Sequence, residues 1–211
     1  MQNIKNIIFD LGNVLLDIDT DLSKEAFRKY NLKDFDKLYT LAAQSEIFDR
    51  LEVGSISPKD FYTEFRELTN SNLNDKIICN CWNALIIDYT KERIELLQNL
   101  RKKFRTFILS NTNIIHYESY TNLLKNKYNV NGLESLVEKA YFSHEKGLKK
   151  PDERFYKLIL EENNLNPEET LFIDDNKTNI EAAKRLNIMT IYLVDKKLED
   201  LFTNNNLYLV S

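Results

Sequence analysis

The run Ile7-Ile8-Phe9-Asp10-Leu11-Gly12 constrains the fold more than any other stretch of this chain. Its apolar residues are β-branched or aromatic and fill a short strand, and a segment apolar on both faces suits a strand buried inside a parallel sheet. Asp10 then falls at the C-terminal end of that strand, the edge where open α/β sheets bind their ligands. Gly12, one of only four glycines, follows two residues later, where a residue without Cβ lets the backbone approach an ion or a phosphate. Taken alone, Asp10 reads as a turn or helix-cap residue. The segments downstream change that reading.

After Leu16 the strand pattern stops, and apolar residues recur at helical spacing, as in Phe61, Phe65 and Leu68 and in Phe35, Leu38 and Leu41. Ser57-Pro58 reads as a helix start, with Ser as N-cap and Pro in the first turn, and Gly54 marks a turn before it. A span of about seventy residues before the next βα unit is far longer than a simple crossover. Residues 17–87 are therefore expected to form an inserted all-helical cap, and residues 1–16 and 88–211 an α/β core domain. Trp82 reads as a packing anchor near the end of the cap.

From Lys91 the pattern is regular α/β. Ile94, Leu97, Leu100 and Phe104 share a helix face, and the strand Thr106-Phe107-Ile108-Leu109 runs into Ser110-Asn111-Thr112-Asn113. Small polar residues at that point offer hydroxyl, amide and backbone donors to an anion, or else form an ordinary N-cap box. A helix over 114–128 leads to the strand Ala140-Tyr141-Phe142. Pro151 is expected to open a helix that buries Phe155, Leu158 and Ile159, which sets Lys150 beside free backbone donors as a phosphate site or leaves it a surface lysine. The strand Thr170-Leu171-Phe172-Ile173 ends on Asp174-Asp175. Adjacent carboxylates repel unless a cation is present, and hard oxygen donors point to Mg²⁺. A helix over 176–186, a fifth strand at Met189-Thr190-Ile191-Tyr192 and an edge strand in Leu207-Tyr208-Leu209-Val210 complete the reading. The fold class is thus α/β, a Rossmann-like parallel sheet with helices on both faces and an inserted helical cap.

Composition narrows the partners. A net charge of −4 leaves no basic excess for a nucleic-acid backbone. Cys79 and Cys81 form a C-x-C pair without a nearby histidine, which suits buried thiols and not a zinc site. No apolar run approaches the ~20 residues that span a bilayer. The first strand begins within about five residues of Met1, too soon for a signal peptide, so a reduced cytoplasmic protein is expected.

Three strand ends thus bring an acid, a hydroxyl with an amide, and an acid pair to one sheet edge, where Lys150 joins them. These are the parts phosphoryl transfer needs. In that arrangement the chain resembles the haloacid dehalogenase superfamily, specifically its phosphatases with a helical C1-type cap. The resemblance rests on four motifs in order: Phe9-Asp10-Leu11-Gly12-Asn13-Val14-Leu15, Leu109-Ser110-Asn111-Thr112-Asn113, residues 147–151 with Lys150, and Phe172-Ile173-Asp174-Asp175-Asn176. The first motif, His116 after the second, and Asn179 after the fourth are similar to those of bacterial α-glucose-1-phosphate phosphatases. The resemblance implies that Asp10 is the nucleophile and forms an aspartyl-phosphate. It implies that Asp10, the Gly12 backbone carbonyl and Asp175 bind Mg²⁺, with Asp174 joining directly or through water. Ser110, Asn111 and Lys150 would hold the phosphoryl oxygens of a small phosphorylated metabolite.

One position departs from the superfamily's common pattern. Many of its phosphatases carry an acid–base Asp two residues after the nucleophile, and here that residue is Gly12. General acid catalysis is typically worth 10²–10⁴-fold, so a better leaving group, as in a sugar 1-phosphate, becomes the expected substrate. The alternatives are a catalytically weak or inactive binding or regulatory protein on this fold and a 2-haloacid dehalogenase, against which the Asp174-Asp175 pair argues. His116 and His144 read as structural residues.

Overall fold

The computed structural model describes residues 4–30, 46–203 and 206–207. The helix expected to carry Phe35, Leu38 and Leu41 lies outside them, as do residues 208–210 of the expected edge strand.

A parallel sheet organises the described chain. Its strands are β1 (Asn6–Phe9), β4 (Arg105–Ser110), β5 (Lys139–Phe142), β6 (Thr170–Asp174) and β7 (Met189–Tyr192), in the order β5-β4-β1-β6-β7. β1 lies centrally, with Phe9 beside Ile108 of β4 on one side and Ile173 of β6 on the other. The chain builds outward from β1 to β5 and then returns to start β6 on the opposite side, so the topological switch falls between β1 and β6. Both faces of β1 are covered, as its unbroken apolar run requires. Ile7 and Phe9 pack with Ile94 and Leu97 of α5 (Lys91–Leu100) and Tyr120 and Leu124 of α6 (Ile114–Tyr128). Ile8 packs with Phe155 and Ile159 of α8 (Glu153–Glu162) and Ile180 of α9 (Lys177–Arg185).

Between β1 and α5 the chain forms α1 (Thr20–Arg28), α2 (Ile47–Glu52), α3 (Pro58–Thr69) and α4 (Asp75–Asn83). Ser57 caps α3 in a reciprocal pair with Asp60, with Pro58 in the first turn. These helices bury Phe27, Leu51, Phe61, Phe65 and Trp82 in a core of their own, which also takes in Ile115 from α6. Trp82 stacks on Phe48 with ring centroids 4.8 Å apart. Cys79 and Cys81 are free thiols; Cys81 is buried and Cys79 only partly so.

Several elements differ from the sequence reading. Two further strands, β2 (Leu16–Ile18) and β3 (Ile86–Tyr89), pair antiparallel at the two ends of the inserted helices. Each is too short, and too interrupted by Asp17 or Asp88, to show an alternating pattern. Arg93 anchors this ribbon through Asp17 at 2.5 Å. The helix expected to open at Pro151 begins at Glu153, because Asp152 supplies the N-cap oxygen to the Arg154 N–H. Asn206–Leu207 pairs with Phe202–Thr203 in a separate hairpin and does not extend the main sheet. No helix among the described residues is long and apolar enough to cross a membrane.

Two of the contacts that set the inserted helices against the core lie near Lys150. Lys149 bonds Asp49 at 2.6 Å and Glu52 at 2.9 Å, both on α2. Gly54, at φ +67°, lies so close to the His144 carbonyl that a Cβ would stand 2.0 Å from its oxygen. Gly54→Ala is therefore expected to lower stability by about 1–3 kcal/mol. Urea unfolding at unchanged m-value tests this, and an unshifted midpoint would contradict it.

Candidate active site

The site lies at the C-terminal edge of the sheet, at the switch between β1 and β6. Asp10 leaves β1 with its N–H donating to the Ile173 carbonyl at 2.9 Å, which fixes the side chain beside the end of β6. Asp174, the last residue of β6, is fully buried. Between the two stands Lys150, whose ammonium donates to Asp10 Oδ1 at 2.6 Å and to Asp174 Oδ2 at 2.7 Å. Its side chain is 1% exposed. Burial works against the charged lysine, yet the two carboxylates outweigh it and hold the ammonium above its ordinary range. Burial drives the Asp10 carboxyl the other way, up to about 6, with Asp174 adding to the rise and Lys150 opposing it.

Neighbouring side chains hold Lys150, Asp174 and Asp175 in place. Asn111 spends both ends of its amide on the Lys150 backbone, accepting from its N–H at 2.8 Å and donating to its carbonyl at 2.8 Å. This clamp aims a long, flexible lysine stem at one point. Ser143 grips the same loop, donating to the Thr112 carbonyl at 2.7 Å and accepting from the Thr112 N–H at 2.9 Å. Asp174 accepts from the Asn176 N–H at 2.7 Å and from the Asn179 amide at 3.1 and 3.2 Å. Asp175 accepts from Asn13 Nδ2 at 3.2 Å.

Oxygen atoms of Asp10, Asp174 and Asp175 lie within 4.8 Å of one another. At that separation two ionised carboxylates repel by roughly 3–4 kcal/mol at an effective dielectric of about 20. One ammonium against three carboxylates leaves a net deficit of positive charge, and burial already pushes Asp175 upward. The donor set is all hard oxygen and acidic, so it fits a small divalent cation such as Mg²⁺.

The structure thus brings Asp10, Lys150, Asp174 and Asp175 together. Ser110 ends β4 as a buried residue, and Asn111 follows it with its side chain committed to Lys150. Gly12 lies in the turn after Asp10, where a Cβ would come 2.9 Å from Ile18 Cδ1 of β2. Beside Leu11, Gly12, Ser110 and Asn111 opens a cavity of about 70 Å³ that His116 and Tyr120 of α6 also line. His116 meets the inserted helices directly: its ring stacks on Trp82 with centroids 5.3 Å apart. Sequence reasoning gave Asn13, Ser143 and Asn179 no role. Asn179 carried one usable signal, its place in the first turn of the helix that follows an acid pair. Ser143 carried none, since it reaches the site only through the β4–β5 register.

A model of haloacid dehalogenase-like hydrolases matches residues 4–187. The D-ribitol-5-phosphate phosphatase of Bacteroides thetaiotaomicron is 30% identical over 187 residues, 89% of this chain and 90% of that protein. The fold superposes with a TM-score of 0.85 on a haloacid dehalogenase family enzyme of the same organism, in complex with magnesium and inorganic phosphate. That structure is 32% identical and covers 95% of this chain and 100% of its own. L-2-haloacid dehalogenase from Xanthobacter autotrophicus shares the fold at a TM-score of 0.60 and 18% identity, over 94% of this chain and 80% of its own. By the motifs at one sheet edge and by likeness along nearly its whole length, the chain belongs to the haloacid dehalogenase-like hydrolases.

Proposed function

We propose that this chain is a Mg²⁺-dependent phosphomonoester hydrolase that works through an aspartyl-phosphate on Asp10. The observation that carries the reading is the Asp10 carboxylate held at a strand end by the Lys150 ammonium at 2.6 Å, with Asp174 and Asp175 alongside. Lys150 occupies Oδ1, and in this reading Oδ2 is the oxygen that attacks phosphorus. As that oxygen bonds to phosphorus, the bond to the ester oxygen breaks and the alcohol departs with a proton from water. Water then attacks the aspartyl-phosphate at phosphorus, inorganic phosphate leaves, and Asp10 regains its carboxylate. Lys150 offsets charge on the phosphoryl oxygens. Ser110 and the Asn111 backbone N–H support it as donors, because the Asn111 amide is already engaged. Mg²⁺ held by Asp10, Asp175 and the Gly12 carbonyl, with Asp174 direct or through water, supplies Lewis-acid stabilisation of the transferring group. In this reading residues 17–87 act as a cap over the site, hinged at the β2–β3 ribbon.

The substrate is a small phosphorylated metabolite. Gly12 has no side chain to protonate a poor leaving group, which favours a sugar 1-phosphate. A polyol phosphate is the second reading, favoured by the relative that acts on D-ribitol 5-phosphate. A reducing compartment, the cytoplasm, suits the free thiols of Cys79 and Cys81.

Phosphate release from glucose 1-phosphate, glucose 6-phosphate and D-ribitol 5-phosphate tests the proposal. Turnover with Mg²⁺ is expected to disappear with EDTA and to return on adding Mg²⁺; a chelator-insensitive activity would contradict the metal's role. Asp10→Asn is expected to cost about 10³-fold or more in kcat, and Lys150→Ala about 10²–10³-fold. Retained activity in Asp10→Asn would remove the nucleophile from the account. A clear preference for the 6-phosphate over the 1-phosphate would count against the leaving-group argument alone.

A further inference from the structure

We infer that Asn13 is a positioning residue for Mg²⁺: its side-chain amide holds Asp175 in the orientation that receives the ion and ties that acid to the backbone of β2. This role deepens the Mg²⁺-dependent phosphatase reading above and rests on it.

Of the three acids at the sheet edge, Asp175 is the least restrained. Asp10 and Asp174 both accept from the Lys150 ammonium, and Asp174 is gripped further by Asn179 and the Asn176 N–H. The Asp175 side chain is only partly buried. It accepts from Asn13 Nδ2 at 3.2 Å and from no other side chain among the described residues.

The amide of Asn13 has one workable orientation. The Ile18 N–H points at its Oδ1 from 3.3 Å, and a backbone N–H can only donate, so Oδ1 faces β2 and Nδ2 faces Asp175. The backbone puts the side chain in that place. Asn13 sits in the left-handed region at φ +55°, and its own N–H donates to the Leu16 carbonyl at 2.8 Å. Asparagine is among the few residues with a side chain that enters this region readily. Position 13 therefore pairs a turn conformation open to glycine with a donor and an acceptor that glycine lacks.

An acid that must be ordered at the moment of binding costs a cation site affinity. Groups that orient a metal-binding carboxylate are typically worth 10–100-fold in metal affinity. Asn13 engages Oδ2 of Asp175 and leaves Oδ1 without a side-chain partner, so one oxygen is steadied and the other is offered to the ion. Asn13 and Asp175 line the same surface cleft, and Asn13 is exposed there. A hydrogen bond in that setting adds little to stability, which separates an effect on the metal from an effect on folding.

Asn13→Gly and Asn13→Ala both remove the amide and together test the role. Glycine keeps the left-handed turn and alanine strains it, so the two variants are expected to differ in stability but not in their effect on the metal. Without Mg²⁺, Asn13→Gly is expected to melt within about 2 °C of the wild type, and Asn13→Ala about 2–4 °C lower. Both are expected to bind Mg²⁺ about tenfold more weakly. The affinity is read by calorimetric titration of Mg²⁺ into substrate-free enzyme, and independently as the Mg²⁺ concentration for half-maximal hydrolysis of the fastest of the three esters above. At saturating Mg²⁺, kcat and KM are expected to stay within about threefold of the wild type. Wild-type Mg²⁺ binding that neither variant weakens overturns the inference and leaves the phosphatase reading standing. So does a loss of kcat that saturating Mg²⁺ does not restore, or a loss of affinity in one variant alone, which assigns the effect to the backbone. A wild type with neither Mg²⁺ binding nor Mg²⁺-dependent turnover overturns both.

Discussion

One buried ammonium shared by two carboxylates governs this molecule. Lys150 is almost sealed from solvent between Asp10 and Asp174, which come from neighbouring strands on the two sides of the topological switch. Removing one partner from such an arrangement leaves an uncompensated charge in a low-dielectric site and typically costs 3–5 kcal/mol. The surrounding structure serves that arrangement. Asn111 fixes the backbone of Lys150, Asn179 and the Asn176 N–H fix Asp174, and the Ile173 carbonyl fixes the backbone of Asp10. The parallel sheet matters chiefly because it delivers these groups to one edge in register.

The inserted helices are coupled to the same point. Lys149, the residue before Lys150, bonds two acids on α2, and Gly54 closes on the backbone of His144 a few residues upstream. Helix α6 belongs to both parts of the chain. Its first turn follows the Ser110-Asn111 loop, Ile115 completes the core of the inserted helices, and His116 stacks on Trp82. The cavity beside Gly12 is therefore walled by residues whose positions depend on how closely the two parts are docked.

Much of this was legible in the sequence because strong local patterns produced it. Ile7-Ile8-Phe9 and Leu171-Phe172-Ile173 are buried on both faces, and the acids that end them meet at the edge where an open sheet binds its ligands. Ser57-Pro58 announced a helix start through capping chemistry. What the sequence concealed depends on contacts between distant residues. Asp152 outcompeted Pro151 as the start of α8 because its side chain reaches the Arg154 N–H. The short strands β2 and β3 exist through each other and through Arg93. The engagement of Asn111 with the Lys150 backbone, and the stacking of His116 on Trp82, follow from tertiary packing and leave no mark in residue spacing that sets them apart from an ordinary N-cap box or a buried helix face.

The central claim is that Asp10 takes the phosphoryl group, with Lys150 and the acid pair arranged around it. A crystal structure with Mg²⁺ and beryllofluoride, a mimic of the aspartyl-phosphate, addresses this most directly. The account predicts beryllium bonded to a carboxylate oxygen of Asp10, a metal ion touching Asp10 and Asp175, and Lys150 within hydrogen-bond distance of a fluoride. Beryllofluoride bound at any other side chain, or an Asp10 carboxylate left bare beside an occupied metal site, would contradict it.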